Sequence, residues 1–275
     1  MMFNDPRERF IELIEKGEDE LDLAEAVLTV AAEACPDLDG DRCIARLDAL
    51  ADQARAVVEA EQGVFAKATR LLRFLCEEQG FVGNQTDYYD PRNSFLNEVI
   101  ERRTGIPITL SIVYLEVARR LDLPMAGVGF PGHFLVRAAD DPSVLIDVFF
   151  GRVVTRDDLL ELLQQAEGED AELEAEHLDT AGPREILARL LTNLKHVYYS
   201  REDLEEALGC SERVLLLLPD HPIELRDRGL IYAKLECFGP ALRDLERYVE
   251  LGGPRAEASV SEMLENLRER VQQIH

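Results

Sequence analysis

The sequence predicts an α+β fold: a helical region leading into one long helix packed on a short antiparallel sheet, then an all-helical segment. Three observations carry this. Helical periodicity dominates the first hundred or so residues. From Gly105 the texture changes to one strongly apolar helix, then short β-rich runs separated by Pro131-Gly132 and Asp141-Pro142. Beyond residue 184 the sequence repeats itself at a shift of 34 residues.

Asp5 is placed to cap a short helix with Pro6 at its first position. Leu21 to Ala34 is amphipathic and stops before Pro36, a third helix covers Asp41 to Ala60, and LLRFLCEEQGF closes a fourth near Gly80. The stretch GNQTDYYDPRNS is dense in turn formers, and Asn93 or Ser94 is expected to cap the helix FLNEVIERR, ended by Gly105. Thr109 to Leu121 is the long apolar helix. Met125–Phe130, His133–Arg137 and Val144–Asp147 read as strands, and Thr155 caps the helix RDDLLELLQQ. Ten acidic residues and no Lys or Arg lie between Asp157 and Pro183, which marks a solvated interdomain linker. An acidic docking tail is the functional alternative there.

In the last third, Leu191 falls on Leu225, Tyr198 on Tyr232, Leu204 on Phe238 and Ala207 on Ala241. This is the tetratricopeptide pattern, with Pro219 closing the first unit, Gly229 as the small residue of the second, and Pro254 one residue late. Lys195 stands where glycine is usual. Two units and the helix SVSEMLENLRERVQQI make a minimal capped array, which either packs for stability or offers a peptide groove. The expected domains are therefore 1–165 (core with its helical region), 166–183 (acidic linker) and 184–275 (repeats with a capping helix).

The net charge of −25, from 55 acidic and 30 basic residues, excludes nucleic-acid and anionic-membrane partners in the absence of a basic patch, and Lys/Arg runs stop at pairs. Five scattered cysteines without a CxxC speak against a disulfide framework or zinc site and for a reducing compartment. The N-terminal segment lacks an apolar signal region, so a cytoplasmic location is expected. No cofactor and no metal is expected: His133 and Asp147 are only two ligands.

His133 in an apolar run and Asp147 at the end of the next are the orienting half of a nucleophilic triad. YYDPRNSFLNEV, GIPITLSIVYLEVARRL, GVGFPGHFLVR and IDVFFG resemble the SirB-type branch of the transglutaminase-like superfamily, over about residues 20–260 and with the same trailing repeats. The resemblance implies a transglutaminase-like (papain-like) core in which a cysteine opens the central helix, His133 sits at the catalytic histidine and Asp147 at the catalytic aspartate. The nucleophile position is Pro107, and Val148 stands where the family has proline. Proline has no nucleophile, so thiol chemistry from position 107 is excluded.

What remains is a remnant site with two readings. In one, the chain is a non-catalytic, regulatory scaffold binding a peptide or protein through the cleft or the repeats, with Asp90, Asn93 and Asn97 as cleft residues. In the other, it is a hydrolase or acyltransferase using a Ser111–His133–Asp147 triad. Each residue also has a structural explanation: Ser111 as a small packing residue, His133 as a core histidine satisfied by Asp147, and Asp90, Asn93 and Ser94 as turn and cap residues.

Overall fold

The computed structural model describes residues 5–252 and 258–274, so Pro254 of the repeat pattern lies outside the described residues. The chain falls into two compact units divided between Leu190 and Leu191.

The first unit opens with α1 (Pro6–Ile14), where the Asp5 carboxylate accepts from the N–H groups of Arg7 and Glu8. Asp22 and Asp39 cap α2 (Leu23–Ala34) and α3 (Gly40–Glu59) in the same way. α4 (Val64–Arg73) runs into a π-helical turn, Phe74–Glu78, that places Cys76. Next come β1 (Val82–Gly83), a 3-10 turn at Pro91–Asn93, α5 (Leu96–Arg102) and β2 (Thr104–Gly105), with β1 and β2 pairing in parallel. The expected cap of α5 is not there. Its N-cap is Phe95, without a side-chain bond, and it ends on left-handed Arg103 rather than at Gly105. Asn93 instead binds the preceding loop through the carbonyls of Asp87 and Tyr88, a stronger use of a buried amide.

α6 (Pro107–Arg120) begins on proline at its first position, where the missing N–H costs nothing. It is buried almost all round, as expected of a helix apolar on every face. Each enclosed aliphatic side chain, such as Ile112 or Val117, contributes about 1.5–3 kcal/mol. It packs on an antiparallel sheet of β3 (Met125–Val128), β4 (Leu135–Ala138), β5 (Leu145–Asp147), β6 (Arg152–Val153) and β7 (Thr180–Ala181), ordered β6-β5-β4-β3-β7. α7 (Arg156–Glu167), capped by Thr155, seals part of the sheet with Leu159 and Leu163 against Val128, Phe130 and Leu135.

Residues 166–183 are not the bare linker expected. They hold the end of α7, a short 3-10 turn at Ala175–Leu178, and β7, which pairs with Gly127 and Val128 of β3. The outward carboxylates hid a two-residue strand that no period-2 pattern could mark.

The unit boundary falls inside α8 (Pro183–Ser200). The second unit continues with α9 (Leu204–Leu217), α10 (Pro222–Lys234), α11 (Phe238–Glu250) and α12 (Ala258–Ile274). The 34-residue repeat is exact in places: Ser200 and Lys234 end their helices, and Leu204 and Phe238 begin theirs. Leu225, Ala241, Leu245, Tyr248, Val260 and Leu264 form its core. Gly229 lets α10 approach α11, since a Cβ there would lie 2.8 Å from Leu245 Cγ. Gly229→Ala should therefore destabilise this unit by about 1–3 kcal/mol through overpacking, and adding Leu245→Ala should recover less than its own cavity cost. Denaturant midpoints of the two variants check both. No described helix is long and apolar enough to cross a membrane.

Candidate functional site

Gly132 precedes His133 at φ +65°, and a Cβ there would also strike Ala166, so glycine is required on both counts. The turn holds His133 just before β4 rather than inside it, its N–H donating to the Phe130 carbonyl at 3.1 Å. One guanidinium nitrogen of Arg189 donates to the carbonyls of Phe130 (2.6 Å) and His133 (2.7 Å), closing the turn from behind. Burial holds the Arg189 pKa below its ordinary value, with Tyr88 opposing.

Asp147 ends β5 and is fully buried. Its Oδ1 accepts from the N–H groups of Phe149 (3.0 Å) and Phe150 (3.1 Å), building the turn that follows. Its Oδ2 lies 2.9 Å from His133 Nε2. That distance makes an ion pair with a protonated imidazole, but the angle is too poor for a directed hydrogen bond, and neither atom has another partner among the described residues. Nδ1 is thus the imidazole nitrogen left for any third group.

Among the described residues, neither Pro107 nor Ser111 offers His133 a bonded nucleophile. Pro107 is the first residue of α6 and is buried. Ser111 is fully buried and its Oγ has no hydrogen-bond partner among the described residues, so the Ser111–His133–Asp147 triad is not assembled. A hydroxyl one turn inside the helix also lacks the orphan amides at the helix start that would stabilise an oxyanion.

The neighbourhood of Asp147 does contain a thiol that spacing did not reveal. Cys76 Sγ lies 3.8 Å from the carbonyl of Val148 and beside Gly151. Burial lifts its pKa to about 11, with Glu77 and Asp147 adding to the rise. That value keeps it a thiol at neutral pH.

The pair is covered by aromatics. Phe150 stacks on the His133 ring (5.9 Å, 23°), Phe149 meets it edge-on (6.1 Å), and Tyr88 meets Phe149 (6.3 Å). Phe149 also bridges to β1: a Cβ on Gly83 would lie 2.5 Å from its ring, and Gly83 pairs with Gly105, two residues before Pro107. His133 is 8% exposed under a Phe150 that is 47% exposed. Phe150→Ala should therefore speed ethoxyformylation of His133 by diethyl pyrocarbonate several-fold with little loss of stability; an unchanged rate would show that something else covers the ring. The adjacent aromatics after Asp147 were a readable signal. Arg189 was not, lying 56 residues on in a helix assigned to the repeats.

The predicted binding residues divide. Asp90 caps the 3-10 turn and pairs with Arg92 at 2.6 Å, which holds its carboxyl below the usual range even though burial opposes this. Asn93 accepts from Asn84 (3.1 Å), and its carbonyl accepts from Thr109 (2.7 Å), tying the loop to the start of α6. These two build the loop. Asn97 keeps a buried, unpartnered Oδ1.

The sequence profile of the transglutaminase-like superfamily matches residues 41–192, and that of the tetratricopeptide repeat matches residues 194–271. The chain is 40% identical to a UPF0162 protein of Xylella fastidiosa (strain Temecula1) over 84% of each chain. It is 36% identical to the protein SirB1 of Salmonella typhimurium and to the UPF0162 protein YchA of Escherichia coli K12, in each case over 71% of this chain and 72% of the relative. A transglutaminase-like core with trailing repeats, matched along its length by these relatives, places the chain in the SirB-type (UPF0162) family of the transglutaminase-like superfamily.

Proposed function

We propose that the chain is a non-catalytic scaffold that binds a peptide or protein, with a regulatory rather than chemical output and a cytoplasmic place of work. Pro107 carries this reading: the helix that should open on a nucleophile opens on a residue without one. The unassembled Ser111 and the aromatic cover of His133 point the same way. Free cysteines agree with a reducing compartment. Tetratricopeptide repeats are generally protein-interaction modules, and here Lys195, His196 and Tyr199 of α8 face Arg226, Asp227 and Leu230 of α10 across a cavity of about 230 Å³. No cofactor or metal is invoked.

The test has two arms. Full-length protein treated with a fluorophosphonate and assayed for amine transfer should show neither labelling of Ser111 nor turnover; labelling abolished by His133→Ala would instead establish the hydrolase. Peptides selected on the full-length chain from a displayed library should slow amide exchange in α8 and α10 or around His133, and Tyr199→Ala should weaken those mapping to the repeats. A selection that yields no binder would overturn the scaffold reading.

A further inference from the structure

A cavity of about 760 Å³ in the first unit does not have His133 among its lining residues, and nothing above uses it. Its floor is apolar: Leu21, Leu23, Leu115, Leu123 and Ile186. One wall is half a strand edge. Met125 and Ala126 pair with Ala138 and Arg137 of β4, but β7 covers only Gly127 and Val128 on the other side. The first half of β3 therefore turns an unpaired edge into the groove, and such an edge is a template for another extended chain.

Charge selects the occupant. Among the carboxylates of the rim, Glu18 is paired with Arg184 at 3.2 Å, and Glu116 is held by Arg119 (3.0 Å) and Arg120 (2.5 Å). Glu20, Asp22 and Asp122 line the same groove and have no cationic partner among the described residues. A second copy of the chain, at a net charge of −25, would bring carboxylates against carboxylates. An extended segment with cationic side chains on one face and apolar ones on the other meets all three features. Its backbone continues the sheet, its apolar face fills the floor, and its cations reach the rim.

We propose that this groove takes a cationic, alternately apolar peptide as an added strand on β3. The proposal goes beyond the scaffold reading and is independent of it, because the groove is lined neither by His133 nor by any residue of the α8–α10 cavity.

The probe is a capped octapeptide alternating lysine and valine, titrated against the full-length chain by fluorescence anisotropy at low salt. Binding should be accompanied by slowed amide exchange at Met125 and Ala126. The exposed pair Glu20→Lys and Asp122→Lys should weaken it about tenfold, and N-methylation of alternate peptide amides should abolish it. Three outcomes would overturn the proposal: equal affinity for the charge-reversed variant, equal affinity of the N-methylated peptide, or exchange protection only elsewhere, which would mark adhesion of a cation to an acidic protein. Dimerisation of the chain itself, lost in the charge-reversed variant, would overturn it in favour of a second copy. Unchanged thermal stability of the charge-reversed variant confirms that the comparison is between folded proteins.

Discussion

Replacing Lys195 with alanine should destabilise the repeat unit by about 3–5 kcal/mol, the loss expected when one member of a buried ion network is removed. Lys195 is 2% exposed. Its ammonium lies 2.7 Å from Glu224 and 2.8 Å from Asp227, and the Ser211 hydroxyl donates to the other oxygen of Glu224. Alanine would leave two enclosed carboxylates facing each other without their shared cation.

Acid should expose the same network. Burial pushes the Asp227 carboxyl up, but Lys195 and Arg226 outweigh it and hold it below the ordinary value. A depressed carboxylate contributes stability that is present above its unfolded value, about 3.9, and lost as the pH falls through the folded one. His196 is depressed too, by burial and then by Lys195, so below about pH 6.5 the unfolded chain takes its proton more readily. Both push one way: the repeats should weaken below about pH 6.5 through His196 and, below about pH 3.9, through Asp227 as well. In Lys195→Ala the carboxylates lose their cation and gain from protonation, so the deficit should shrink on acidification. Amide exchange of α9 and α10 at pH 7, pH 5 and pH 3 measures both. A variant within about 0.5 kcal/mol of the parent, the range of an ordinary surface substitution, would show that the network is not what holds these helices.

Lys195 also shows how much of the fold was legible. The repeat was visible because its signal recurs, and the helix ends fall where the 34-residue shift puts them. Lys195 was visible in the place of the usual glycine, but its ion network was not, because Glu224 and Asp227 lie about one repeat away in sequence and only the fold brings them to Lys195. The sheet follows the same rule. Three strands announced themselves by β-branched and aromatic runs, while the two-residue β6 and β7 had no period to read.

At the site, the His133–Asp147 proximity was legible from strand, turn and strand, and so was the opening of α6 on Pro107. The cover was less so. Nothing local to His133 shows that Phe150 lies across it, that Arg189 closes the turn, or that the π-helical turn carries Cys76 to Val148. Asp90 and Asn93 could not be divided between cleft and turn roles in the sequence, because caps, loop ties and ligand contacts draw on the same side chains.

Pro107→Cys should create a reactive thiol where the parent has none. The new side chain would sit at the first position of α6, near orphan amides and the positive end of the helix dipole, both of which lower a cysteine pKa, as does an adjacent imidazolium. The buried native thiols are held the other way: burial raises Cys43, takes Cys76 to about 11 and Cys210 to about 12. At pH 7 a thiol with a pKa near 11 is thiolate about one part in 10,000, whereas one near 7 is about half. Intrinsic nucleophilicity falls with pKa and returns about half of that advantage on a logarithmic scale. Alkylation of Cys76 should therefore be about 100-fold slower than that of the introduced thiol, read peptide by peptide in the mass spectrometer. Burial at position 107 will limit access, so Phe150→Ala in the same chain should increase the rate, and His133→Ala should decrease it by removing the imidazole that the family pairs with this position. An introduced thiol no faster than Cys43, or one indifferent to His133→Ala, would mean that Pro107 is not where the nucleophile of this fold belongs.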